Sequence, residues 1–254
     1  MPALDLNEVA AFVSTNITRF HEKKLRLIQD VDLETVLERE NPYLYRAKRL
    51  YVASDLVREL LDATLSSSEE QLFGNFLEDL AVFIARMTSG GRKSAATGLD
   101  LEFERDNTLY IVSVKSGSSW GNSSQHKKLE QDFTKAVTVL KQSGSVQNVQ
   151  PVLGICYGKV RTSYTRNYLK VVGQSFWYLV SKNENLYTDI VEPLGYEAER
   201  HNTAFLEAKA AVINKFTDQL LDNFSEDGVI NWEKLVAFNS GNIDIGKINV
   251  RAMP

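Results

Sequence analysis

The sequence predicts an α/β fold, a sheet flanked on its faces by helices. Three features point to it: helical patterning through most of the first ninety residues, two apolar-alternating runs that read as a hairpin near the middle, and a helix followed by further strand-like runs. Residues 5–38 read as helical with an amphipathic beginning, and Pro42 with the neighbouring tyrosines interrupts them. Ser54 and Asp55 form an N-cap for a helix through Leu65, and Ser66, Ser67 and Ser68 followed by Glu69 and Glu70 supply the next start. That second helix runs to about Met87, where Ser89, Gly90 and Gly91 break it. After the hairpin comes a polar loop from Ser116 to Gln125, then a helix over 126–142 with Leu129, Phe133, Val137 and Leu140 on one stripe. Strands are expected near 150–157 and 174–180, and helices over 184–194 and 199–223. Phe176, Trp177 and Tyr178 read as core strand rather than as an exposed aromatic platform.

The hairpin carries the chemistry. Alternation over 99–103 and 109–115 marks two strands, and Asp106-Asn107 is a dipeptide suited to the turn between them. Period two puts Asp100, Glu102 and Glu104 on one side of the first strand and Ile111, Ser113 and Lys115 on one side of the second. Asp100 and Lys115 are thereby expected close together. A lysine at an exposed strand end is ordinary, and it also discourages edge pairing. A carboxylate fixed on one strand, however, can help hold Mg²⁺, and a neighbouring lysine can orient or deprotonate an attacking water and offset phosphate charge. That combination is the chemistry of phosphodiester hydrolysis.

Composition limits the alternatives. A chain of 254 residues, 43% hydrophobic and 24% charged, can bury a full core in one or two domains. No apolar run reaches membrane-spanning length and no basic-then-apolar leader opens the chain, so a cytoplasmic protein is expected. The single cysteine, Cys156, excludes an internal disulfide and a cysteine-rich zinc site, and reads as a buried thiol. His21, His126 and His201 have no metal-ligand spacing. Ser89-Gly90-Gly91-Arg92-Lys93-Ser94 lacks the first glycine of a phosphate-cradling loop. The net charge of -4 is unevenly spread: residues 107–183 hold ten lysines and arginines against Glu130 and Asp132, a local +8 that leaves -12 on the rest. A concentrated positive surface on an acidic body suits binding of one duplex, and chance clustering on a solvated face is the plain alternative.

At Asp100 and Lys115 the chain resembles the PD-(D/E)XK nucleases, whose core is a central mixed sheet flanked by helices with the catalytic acid and the acid-x-Lys element on neighbouring strands. Ser113 stands where that family usually has Glu or Asp, and a hydroxyl is a weak, neutral ligand. The resemblance implies a replacement carboxylate, for which Glu78 on the preceding helix comes first, then Glu130 on the following helix, with Glu102 a third candidate. The plain reading of Glu78 is a solvated residue at the edge of an apolar helix stripe. A wider set of landmarks comprises 41–48, 98–103, 115–117, 120–125, 183–190 and 232–236. Together they resemble type II restriction endonucleases of the PmeII type.

That resemblance implies a restriction-endonuclease-like core within a single domain over 1–254. A helical elaboration would occupy 1–65, the catalytic core 66–182 and a helical region 183–254, with additional helices at both termini. It also implies a Mg²⁺-dependent homodimer cutting double-stranded DNA at a short palindromic site, with a GG-N-CC core as the expected sequence and a cognate methyltransferase as genetic partner. Contacts to DNA are expected from Trp120, Asn122, Ser123, Ser124, Gln125, His126, Lys127 and Lys128, and from Lys159, Arg161 and Arg166. A packed turn built on Gly117 and Gly121 is the competing reading of the Trp120 loop. Three rival functions stay open on sequence alone: a structure-selective repair or defence nuclease on the same core, a catalytically degenerate DNA-binding protein, and a small-molecule enzyme bearing the hairpin by coincidence.

Overall fold

A computed structural model of the protein describes residues 4–142, 148–165 and 167–242. In chain order the helices and strands are α1 (Leu6–Asp30), α2 (Leu33–Arg39), α3 (Pro42–Ala47), α4 (Ala53–Ser89), β1 (Arg92–Lys93), β2 (Leu101–Arg105), β3 (Thr108–Gly117) and α5 (Ser123–Gln142). They continue with β4 (Asn148–Tyr157), β5 (Ser163–Thr165), β6 (Tyr168–Val172), α6 (Gln174–Ser181), α7 (Leu186–Asp189), α8 (Val191–Leu194) and α9 (Ala198–Phe224), and close with β7 (Ser225–Glu226), β8 (Val229–Ile230) and α10 (Trp232–Ser240). The chain divides into two units, one from Met1–His21 and Glu70–Ala198, the other from Glu22–Glu69 and Glu199–Pro254.

The first unit holds a six-stranded mixed sheet of order β1-β2-β3-β4-β6-β5, flanked by helices. β2 and β3 form the expected antiparallel hairpin, β3, β4 and β6 run parallel, and β1 and β5 close the edges antiparallel. The turn residues Asp106 and Asn107 both take positive φ, 51° and 56°, as a two-residue hairpin turn matched to strand twist requires. Strand pleat sends alternate side chains to two cores. Leu101, Phe103, Val112 and Val114 pack with Phe76, Leu77, Leu80 and Ile84 of α4. Leu109, Ile111, Leu153 and Ile155 pack with Leu129, Phe133 and Ala136 of α5. Ser113 and Lys115, in step with Ile111, therefore belong to the α5 side.

The second unit gathers Ile28, Val36, Tyr45, Leu56, Val57 and Leu61 with Phe216, Leu220 and Leu235. Cys156 is a buried free thiol, and burial pushes its pKa up, which keeps it protonated and unreactive. No helix among the described residues is long and apolar enough to cross a membrane.

Several elements differ from expectation. The helix expected over 5–38 is two, because Asp32 leaves helical geometry and caps α2 by accepting the Thr35 N–H at 2.8 Å. Pro42 opens α3 rather than interrupting a helix, with Asn41 as its N-cap. The helices expected over 54–65 and 66–87 are the single α4. There the Thr64 and Ser68 hydroxyls donate to the carbonyls four residues back, so no break is needed to satisfy them. Residues 174–180 form α6, not a strand. Gly173 at φ 58° turns the chain out of β6, and Lys182 in the left-handed conformation ends the helix. Its last carbonyls are held by Thr88 Oγ1, 2.7 Å from the Val180 oxygen, and by Arg105, which donates to the Leu179 carbonyl. The helix expected over 184–194 is the two short helices α7 and α8.

Candidate active site

The hairpin register sets the centre of the site. Leu101 pairs with Val112, and the Asp100 N–H donates to the Val112 carbonyl at 2.8 Å, so Asp100 lies across from Ser113 at the mouth of the hairpin. One carboxylate oxygen, Oδ2, accepts the Val114 N–H at 2.6 Å and the Ser113 hydroxyl at 3.3 Å, and it lies 3.6 Å from Lys115 Nζ. Among the described residues no donor reaches Oδ1. Burial raises the Asp100 pKa above 3.8, and the charge of Glu78 adds to that. Lys115, the Val114 N–H and the Ser113 hydroxyl pull the other way. The Lys115 ammonium also lies 5.4 Å from the centre of the Trp120 ring, so it sits between a carboxylate and an aromatic face.

The three candidate glutamates have different surroundings. Glu78, on α4, is the one whose charge acts on Asp100, and its Oε1 accepts Lys93 Nζ at 3.0 Å. Glu102 is buried and engaged elsewhere, by Arg92 at 3.1 Å and the Ser94 hydroxyl at 2.7 Å. Glu130 is half-buried on α5. At 100° per residue it lies about 160° around the helix from Asp132, and Asp132 is the α5 carboxylate that faces Ser113 and Lys115 across a cavity of about 430 Å³. Asp132 is 8% exposed, accepts Lys128 at 3.0 and 3.2 Å, and sits so close to Gly98 that a Cβ there would fall 2.6 Å from its Oδ2. Among the described residues no three His, Cys, Asp or Glu side chains cluster tightly enough to form a metal cage.

Asp132 and Lys93 are not among the site residues expected from the sequence, yet they stand beside Ser113 and Lys115 and on Glu78, respectively. Asp132 had a signal, since it falls on the buried stripe of Leu129, Phe133 and Ala136 where an acid needs a reason. Lys93 had none, because a two-residue edge strand is too short to show a period.

The polar loop after β3 is half spent on its own geometry. Asn122 Oδ1 accepts the Gln125 N–H and the Ser124 hydroxyl, and Gln125 Oε1 accepts the Asn122 N–H, a reciprocal cap that starts α5. His126 stands edge-on to Trp120, with Nδ1 3.4 Å from the Tyr168 hydroxyl. Trp120 and His126 are thus half-buried and packed on one another, whereas Ser123 and Lys127 are exposed. Lys159 and Arg161, also exposed, follow β4. Gly117 of β3 pairs with Tyr157 of β4, and a Cβ on Gly158 would lie 2.9 Å from Ser118 Cβ, so both loops leave the C-terminal ends of these parallel strands, close to Lys115. Arg166 lies outside the described residues.

The family model for type II restriction endonuclease EcoO109I matches residues 7–202, more than three quarters of the chain. The chain belongs to that family. It is therefore a site-specific deoxyribonuclease of a restriction-modification system, and DNA is its substrate. Type II restriction endonucleases generally use divalent metal ions. The match contains α4, the hairpin and α5, and it ends before the 232–236 landmark. No curated protein matches the sequence.

Proposed function

We propose that the protein is a Mg²⁺-dependent restriction endonuclease of the PmeII type that cuts double-stranded DNA at a short palindromic site with a GG-N-CC core. It acts in the cytoplasm as a homodimer, each subunit cutting one strand, beside a cognate methyltransferase. The observation that carries this reading is Asp100, Ser113 and Lys115 gathered near the C-terminal ends of the parallel strands β3 and β4, from which the 118–122 and 158–162 loops emerge.

The donor set fits a sparsely held Mg²⁺. Asp100 and Glu78 are two carboxylates close enough for one charge to oppose ionisation of the other, each has one oxygen without a donor among the described residues, and Mg²⁺ needs only one or two carboxylates with retained waters. Such an ion, when bound, acidifies a coordinated water and neutralises charge at the scissile phosphate. Lys115, held between Asp100 and Trp120, orients the attacking water and balances the charge that builds on the phosphate oxygens. The Ser113 hydroxyl orients Asp100 Oδ2 and adds no charge. Ser123, Lys127, Lys159 and Arg161 supply contacts to backbone and bases around that centre.

Digestion of unmethylated phage DNA with Mg²⁺ tests this: discrete bands whose ends share one palindrome are expected. A laddered smear would transfer the reading to a structure-selective nuclease, and no cleavage in Mg²⁺ or Mn²⁺ would overturn it.

A further inference from the structure

The edge strand β1 brings a second lysine to Glu78. Its two residues alternate across the pleat. Arg92 pairs with Glu102 on the α5 side, while Lys93 pairs with Leu101 and so faces α4, where its ammonium meets Glu78 at 3.0 Å. Lys93 keeps most of its side chain in solvent, 67% exposed, while Glu78 is 21% exposed. The pair therefore consists of a partly sheltered carboxylate and a cation free to swing out to whatever arrives. A monovalent ammonium on Glu78 competes for the oxygens that would hold a divalent ion, and a DNA phosphate competes with Glu78 for the ammonium.

We propose that Lys93 is a positioning residue that couples metal binding to DNA binding. Without DNA it neutralises Glu78 and keeps the site weak for divalent ions; when a duplex arrives, Lys93 moves to a phosphate and frees Glu78. The enzyme then gathers its metal chiefly where there is DNA to cut. This rests on the reading of Glu78 as a metal-holding carboxylate.

The test is a Mn²⁺ titration of the full-length, DNA-free protein, followed by the electron paramagnetic resonance of free Mn²⁺, for the wild type, Lys93→Met, Lys93→Arg and Glu78→Gln. Lys93→Met is expected to bind Mn²⁺ roughly three- to fivefold more tightly, the scale of one exposed ion pair. Lys93→Arg should stay near the wild type and Glu78→Gln should bind several-fold more weakly. In EDTA, Lys93→Met should also lower the salt dependence of binding to a short mixed-sequence duplex by about one phosphate contact, a slope change near 0.9. Unchanged or weaker Mn²⁺ binding by Lys93→Met, with Glu78→Gln weakened, would overturn the coupling and leave Glu78 as a ligand. Unchanged binding by Glu78→Gln would overturn the ligand reading and the coupling with it.

Discussion

Asp100 shows at the level of one residue how the site is built against the stability of the fold. Its pKa is raised chiefly by burial, so the folded chain holds that proton more tightly than the unfolded chain does. Folding is thus favoured as pH falls toward the ordinary value of 3.8, and the ionised form costs stability above that range. Asp100→Asn, which keeps an acceptor for the Val114 N–H, is expected to raise the metal-free Tm at pH 7 by roughly 1–3 °C. The gain should shrink as pH approaches 4, and a lower Tm at pH 7 in calorimetry would refute the burial argument. Asp100, Ser113 and Lys115 were legible in the sequence because strand period and a two-residue turn fix their relation locally. That Asp132 of α5 lines the cavity beside Ser113 and Lys115 was not legible, because the resemblance directs attention to Glu130 and Asp132 shows only as an acid on the buried stripe.

Elements are legible where chain chemistry is local and obscure where tertiary contacts decide. The hairpin is of the first kind: Asn107 at φ 56° tolerates a conformation that a β-branched side chain does not. Asn107→Val is expected to destabilise by about 1–3 kcal/mol, read as a lower urea midpoint, while Asn107→Gly should be neutral or better. α6 is of the second kind. Its dense apolar run suits a strand equally well by pattern, and it is helical because Gly173 redirects the chain and because Arg105 and Thr88 receive its C-terminus. The Phe176 ring of α6 lies over Gly154 of β4, where an added Cβ would come within 2.3 Å of it. Gly154→Ala should accordingly cost about 1–3 kcal/mol by overpacking, and an unchanged unfolding midpoint would contradict this docking. The serines at 66–68 misled in the opposite direction, since hydroxyls that can begin a helix are equally satisfied inside one.

For the molecule as a whole, charge distribution matters more than its sum. The protein has net charge -4, yet residues 107–183 carry +8, and of these cations Lys115, Lys127, Lys128, Lys159 and Arg161 fall in β3, at the start of α5 or just after β4, where the proposed function sets them against phosphates. Replacing Lys159 and Arg161 together by Ala should lower the slope of log affinity against log salt by roughly 2, since each phosphate left without its cation removes about 0.9. An unchanged slope in fluorescence anisotropy titrations would take the 158–162 loop off the DNA. The α/β class and the β2–β3 hairpin could be read from sequence, whereas the division into two units could not, because each unit joins segments distant in the chain. On the proposed function, Asp100 and Lys115 carry the cleavage chemistry. The most direct test is the single-turnover cleavage rate of wild type, Asp100→Asn and Lys115→Met on a bacteriophage DNA fragment with Mg²⁺, with DNA affinity measured in parallel in Ca²⁺. Each variant is expected to lose roughly 10²–10³-fold or more in rate while binding DNA within a few-fold of wild type; cleavage by either variant at the wild-type rate would contradict the account.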